Sequence, residues 1–155
     1  MLFRSYTVEA GKQLSGLWAI KGQGQSSYDL EVHGPNGFYR AFQGGVDSLS
    51  TRLLVRASYD VARQDIVLSI TNQCEHAVQL RVADGYGHRQ ERQRLNMGAT
   101  VQQRWSLNRS RGWYDLRLSV EGDADYFCQL AGHVENGRPS ISDPAMGGLQ
   151  LRQDD

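Results

Sequence analysis

The sequence predicts an all-β fold: an antiparallel two-sheet β-sandwich of immunoglobulin-like size, with an additional half repeat unit at its N-terminus. Three observations lead there. Short stretches of alternating apolar and polar residues recur at intervals of roughly 8 to 12 residues, separated by clusters of Gly, Pro, Asn and Asp. No segment sustains apolar residues at i, i+3, i+4 and i+7 over about ten positions, so no long helix is expected. One stretch also occurs twice. Trp113-Tyr114-Asp115-Leu116-Arg117-Leu118-Ser119-Val120, followed by a turn and Tyr126 to Gly132, echoes Tyr28-Asp29-Leu30-Glu31-Val32, followed by a turn and Phe38 to Gly44. The echo extends upstream, where Gly11, Leu14 and Trp18 match Gly98, Val101 and Trp105 at an offset of about 87 residues.

In chain order, Tyr6 to Val8 reads as a short extended segment, and Glu9 to Lys12 as a turn. Leu14 to Ile20 is an expected strand with Trp18 on one face, and Gly22 to Ser27 a connecting loop. Tyr28, Leu30 and Val32 alternate with Asp29, Glu31 and His33, the period of a half-buried strand. Pro35-Asn36-Gly37 closes a hairpin, Pro suiting the first turn position and Gly accepting positive φ. Three further strands follow. Leu53, Val55, Ala57 and Tyr59 share one side; so do Ile66, Leu68 and Ile70; so do Val78, Leu80 and Val82. The turns between them, 60–64 and 72–76, are short and polar, which makes these neighbours antiparallel. The charged run Arg89 to Arg94 reads as a solvated loop or an edge strand protected by charge. Ala99 to Leu107 carries Trp105, and the hairpin 113–132 completes the unit.

These elements divide the chain into residues 1–48, the second half of a first repeat unit, 49–141, a complete unit, and 142–155, a tail that frays past about Ala145. A half unit cannot cover its own apolar strand faces. It must therefore pair with or pack on the complete unit, or on sequence upstream. The expected inter-sheet core is Tyr28, Leu30, Val32, Leu53, Val55, Ile66, Leu68, Ile70, Leu80, Val82, Trp105, Tyr114, Leu116, Leu118 and Val120.

Composition narrows the function. With 39% hydrophobic and 22% charged residues, and 17 basic against 17 acidic side chains, the chain has the make-up of a globular domain and no net field to steer nucleic acid. No nucleic acid is expected as a partner. Cys74 and Cys128 are the only cysteines; one disulfide or two separate thiols both fit. His33, His76, His88 and His133 lie in four separate turns or strand ends without metal-ligand spacing, so no metal and no cofactor are expected. No G-x-S-x-G elbow or phosphate-cradling glycine loop appears, and no catalytic residues are assigned. Asp29 and Asp115 each follow a Tyr at equivalent places, where an outward carboxylate bonding a neighbouring loop is the preferred reading. Among exposed groups the contact candidates are Phe38 and Tyr39 beside Asn36-Gly37, Tyr86 between glycines, and Trp113 preceded by Arg109 and Arg111. Aromatic and guanidinium groups at one end of a sandwich suit a lipid interface or a choline-like cation. Ordinary loop packing is the competing reading. No apolar run reaches the roughly 18 residues of a membrane span, and Met1-Leu2-Phe3-Arg4 lacks the apolar core of a signal peptide.

Four strings carry a resemblance. They are Tyr6-Thr7-Val8-Glu9-Ala10-Gly11-Lys12, Tyr28-Asp29-Leu30-Glu31-Val32-His33-Gly34-Pro35-Asn36-Gly37-Phe38, Trp113-Tyr114-Asp115-Leu116, and the run from Leu130-Ala131-Gly132-His133 to Ser142-Asp143-Pro144-Ala145. Together they resemble the C-terminal repeat region of bacterial phospholipases C, phosphocholine-preferring esterases whose catalytic domain is similar to acid phosphatases of the alkaline-phosphatase superfamily. The resemblance implies the end of a first C-terminal repeat and the whole of a second. It implies a catalytic phospholipase domain upstream in the same chain as partner, a phospholipid surface as a further candidate, and a secreted or periplasmic location. The family's metal-binding carboxylates and nucleophile have no counterpart here. A non-catalytic accessory module is therefore the leading expectation, and a free-standing binding or adhesion module the alternative.

Overall fold

The computed structural model describes residues 4–9, 12–13, 15, 26–47 and 49–145. Among the described residues nine strands are formed: β1 (Ser27–His33), β2 (Tyr39–Gly45), β3 (Leu53–Asp60), β4 (Asp65–Asn72), β5 (Val78–Asp84), β6 (Gln90–Leu95), β7 (Thr100–Ser106), β8 (Trp113–Val120) and β9 (Asp123–His133). No helix occurs among the described residues, and none is long and apolar enough to cross a membrane. The strands form a six-stranded sheet of order β1-β2-β9-β8-β5-β6 and a three-stranded sheet of order β3-β4-β7. Every pairing is antiparallel. Lettered A to G, strands β3 to β9 pair as A-B-E and D-C-F-G, an immunoglobulin-like arrangement in which the fourth strand joins the larger sheet.

Alternation builds the core. The inward residues of β4 (Ile66, Leu68, Ile70), β5 (Val78, Leu80, Val82) and β8 (Tyr114, Leu116, Leu118, Val120) meet Trp105 of β7 and Tyr126, Cys128 and Leu130 of β9. Leu53 and Val55 pack at its border, as half-buried side chains of an edge strand. Cys74 and Cys128 are separate buried thiols, and burial pushes the Cys128 thiol up to about 12. The run at Arg89 is an edge strand, β6, with Arg89 paired to Glu91 and its guanidinium 4.7 Å from the Trp105 ring centroid.

The hairpin β1–β2 extends the larger sheet by pairing β2 with β9. Its large apolar residues do not join the inter-sheet cluster, although Ala41 is buried. Val32 is 49% exposed, and Tyr28 and Leu30 are only half-buried, contrary to the expectation that all three are inter-sheet residues. The reason is width: three strands face six, and the covered cluster contains no residue of β1 or β2. Tyr59 likewise lies at the open seam and is 45% exposed. The expected strand 14–20 with Trp18 lies outside the described residues, as does the chain beyond Ala145. The last hairpin is tighter than expected: β9 begins at Asp123, after a register shift between Ser119 and Val120.

Candidate functional site

The loops 34–38, 61–64, 85–89 and 107–112 and the segment 134–145 leave the sheets at one end, because His33, Tyr39, Asp84, Trp113 and His133 are the corresponding ends of their strands. All six sequence-predicted contact residues fall at this end. They divide into two groups by what they touch.

Trp113 opens β8 and is half-buried. Its ring presses on the hairpin turn, where a Cβ on Gly37 would come within 2.8 Å of it; Gly37 also has φ +70, so two constraints favour glycine there. On its other side it meets the tilted His133 ring at 4.8 Å between centroids. The indole Nε1 donates to the Ile141 carbonyl at 3.0 Å. Tyr86, half-buried, donates its hydroxyl to the Asp143 carboxylate. Burial and that carboxylate push its pKa well above the ordinary phenol value. Trp113 and Tyr86 thus hold down the C-terminal strap 135–143.

Sequence reasoning missed His133 as the centre of that strap. Its side chain is 4% exposed, Nδ1 lies 3.0 Å from Glu135 Oε1, and Nε2 lies 3.0 Å from the Arg111 carbonyl and 2.8 Å from Ser140 Oγ. Ser140, His133 and Glu135 stand in the order of a nucleophile, a base and its orienting acid. The Arg111 carbonyl changes the chemistry. It only accepts, so the tautomer with its proton on Nε2 donates to it, and in that tautomer Nε2 takes no proton from Ser140. The arrangement fastens a loop. Beside it is a polar cleft of about 200 Å³ lined by Gln64, Asn108, Arg111, Arg138 and Ser140 among others. Arg109 and Arg111 are exposed at this end, Arg111 also lining the cleft.

Phe38, Tyr39 and Arg40 form the second group. The Arg40 guanidinium lies 4.2 Å from the Phe38 ring centroid and 5.5 Å from that of Tyr114. It donates to the carbonyls of Tyr39 (2.8 Å) and Ala131 (2.9 Å) and to the hydroxyls of Tyr59 and Tyr114 (both 3.0 Å). Burial, chiefly, and the bond with Tyr59 push the Tyr114 hydroxyl up to about 12, while Arg40 opposes the rise. The signal for Arg40 was its place in the strand alternation, an inward position occupied by Cys128 in the later copy. Tyr39 projects on the opposite face, its ring 4.9 Å from that of His33, and its pKa is raised by burial and then by Glu31.

Asp115 behaves as a structural acceptor, bonded to Gln129 Nε2 at 2.7 Å and Arg117 Nη2 at 2.8 Å. Among the described residues no three His, Cys, Asp or Glu side chains are grouped to hold a metal.

The profile of the bacterial phospholipase C C-terminal domain matches residues 3–45 and 53–133. The chain is similar to a non-hemolytic phospholipase C of Burkholderia pseudomallei, 42% identical over 144 residues that cover 90% of this chain and 20% of that protein. It is similar to a non-hemolytic phospholipase C of Pseudomonas aeruginosa, 35% identical over 151 residues, 93% of this chain and 22% of that protein. A hemolytic phospholipase C of the same organism is 35% identical over 124 residues, 77% of this chain and 17% of that protein. The chain spans about a fifth of the length of these relatives.

Proposed function

This chain belongs to the bacterial phospholipase C C-terminal domain family, and from that premise we propose that it is a non-catalytic accessory module of a secreted or periplasmic phospholipase C. In this reading the catalytic domain lies upstream in the same chain and hydrolyses the phosphodiester of phosphatidylcholine-type lipids. The module scaffolds that domain and presents its loop end toward lipid. One observation carries the reading: nine-tenths of this chain aligns with only a fifth of a phospholipase C. The loop end fits it, because among the described residues the serine–histidine–carboxylate arrangement ties the strap 135–143 to the end of β9.

The isolated chain is the direct test. It is expected to leave a chromogenic phosphocholine ester unhydrolysed. Turnover abolished by Ser140→Ala or His133→Gln, in a variant that still melts cooperatively, would overturn the non-catalytic reading.

A further inference from the structure

We infer that the inner face of β1 and β2, together with the outer edge of β1, seats the rest of a half sandwich, built like β3 to β6 and supplied by the preceding part of a longer chain. The two units then share one continuous sheet across the β2–β9 seam. This rests on the proposed function only in placing the module within a longer chain.

The first support is that β1–β2 and β8–β9 are one hairpin built twice in the same register. Tyr28 faces Gly44 as Tyr114 faces Gly132, Leu30 faces Phe42 as Leu116 faces Leu130, and Val32 faces Arg40 as Leu118 faces Cys128. In both copies the tyrosine lies across the glycine opposite: a Cβ on Gly44 would come 2.6 Å from the Tyr28 hydroxyl, and one on Gly132 2.8 Å from that of Tyr114. Their surroundings differ. The later copy has β5 on the outer edge of β8 and the three-stranded sheet over its face, leaving Leu116, Leu118 and Leu130 at 1%, 0% and 4% exposure. In the earlier copy β1 pairs only with β2 among the described residues, and Val32 and Phe42 are 49% and 37% exposed.

The seam supplies the geometry. Arg40 pairs with Leu130 and Phe42 with Cys128, with Ala41 opposite Gln129 between them. Arg40 is the counterpart of Cys128 and Phe42 of Leu130, so each pairing is the other with the copies exchanged. Such a self-complementary contact is two-fold symmetric, about an axis through Ala41 and Gln129. An axis normal to the sheet keeps both inner faces on one side. A covering half for the earlier copy therefore stands beside β3-β4-β7, and a strand equivalent to β5 pairs with β1.

The chemistry of the occupant follows. It needs an aliphatic inner face like that of Ile66, Leu68 and Ile70, and a strand whose backbone completes the β1 ladder. A lipid surface supplies the first and not the second, since unpaired edge groups are costly in hydrocarbon. A second copy of this chain brings another uncovered hairpin without a covering sheet to spare.

Thiol labelling distinguishes the occupants. Val32→Cys is compared with Met97→Cys, 64% exposed at the opposite end, against the buried native cysteines. In the isolated chain both should label at similar rates. In the full-length phospholipase Val32→Cys should slow by about tenfold or more while Met97→Cys is unchanged. Protection should persist when the catalytic domain is deleted and the preceding half unit kept. Equal labelling in isolated and full-length chains overturns the inference. So does protection that vanishes with the catalytic domain, that grows with concentration of the isolated chain, or that phosphatidylcholine vesicles produce. Labelling does not read activity, so an inactive full-length chain would refute the phospholipase reading alone.

Discussion

Leu116 and Val32 both point inward by alternation in the two copies of a repeated strand, Val32 at the place of Leu118, yet Leu116 is 1% exposed and Val32 49%. Truncating Leu116 to Ala should cost about 2 to 5 kcal/mol, because neighbours on both sheets cannot collapse into the void. Val32→Ala in the isolated chain should stay within about 0.5 kcal/mol, the range of a surface change. Paired urea melts check both. The pair also marks what was legible at this scale: period-2 patterning gives the side of the strand, and it carries no information about whether another layer lies over that side. Asn72 makes the complementary point for a polar residue. Fully buried, it donates through Nδ2 to the carbonyls of His76 (2.8 Å) and Leu95 (3.0 Å) and accepts from the Cys74 amide (2.9 Å). It closes its own turn, 72–76, and ties that turn to the end of β6 at Leu95, a contact that no sequence spacing announces. Asn72→Ala strands three backbone groups at about 1 to 3 kcal/mol for each that stays dry, so a loss comparable to that of Leu116→Ala is expected in the same melts.

Strands were legible as elements and their ties were not. The linker after β2 shows this, since it is fastened by aspartates. Asp47 accepts from the Leu49 amide (2.9 Å) and the Ser50 hydroxyl (2.7 Å), and Asp123 accepts from the Thr51 amide (3.0 Å). The Ser50 hydroxyl and then the Leu49 amide hold Asp47 below its usual pKa. For Asp123 burial works upward, and the bonds from Thr51, Tyr126 and Asp125 outweigh it, so its pKa is also lowered. A carboxylate whose folded pKa is depressed contributes stability above its unfolded value of about 3.9, and that contribution is lost as pH falls through the folded value. The Thr51 and Leu49 amide proton shifts should therefore be constant at neutral pH and move only below about pH 4. Asp123→Asn should abolish the Thr51 titration and leave that of Leu49 in place. The strap was invisible in the same way: residues 135–143 have no apolar period, because the contacts that order them are single bonds to Trp113, His133 and Tyr86.

At the scale of the whole molecule, the fold gathers on one end the contact residues that the sequence scattered over three loops, and this decides how the module meets a lipid surface. Trp113 is a poor free anchor. Its indole N–H is bonded to Ile141 and its ring is wedged between Gly37 and His133, so inserting it into headgroups would require releasing the strap. Arg109 and Arg111 carry no such cost, being exposed at the rim of the same end. With 17 positive and 17 negative side chains there is no long-range attraction to add to theirs. Vesicle binding should then be weak, confined to anionic vesicles, and present at about 0.01 M salt, where screening acts over about 30 Å, but lost near 0.15 M, where it acts over about 8 Å. Flotation of the isolated chain reads this directly, with Arg109→Ala/Arg111→Ala expected to abolish it. Trp113→Ala should lower the melting temperature while leaving the salt-sensitive flotation of the folded fraction in place. Flotation that instead survives the double arginine change and disappears with Trp113→Ala would mean that the strap lifts at the membrane and that the indole is the anchor. Absence of flotation with both zwitterionic and anionic vesicles would leave the module no lipid-binding role.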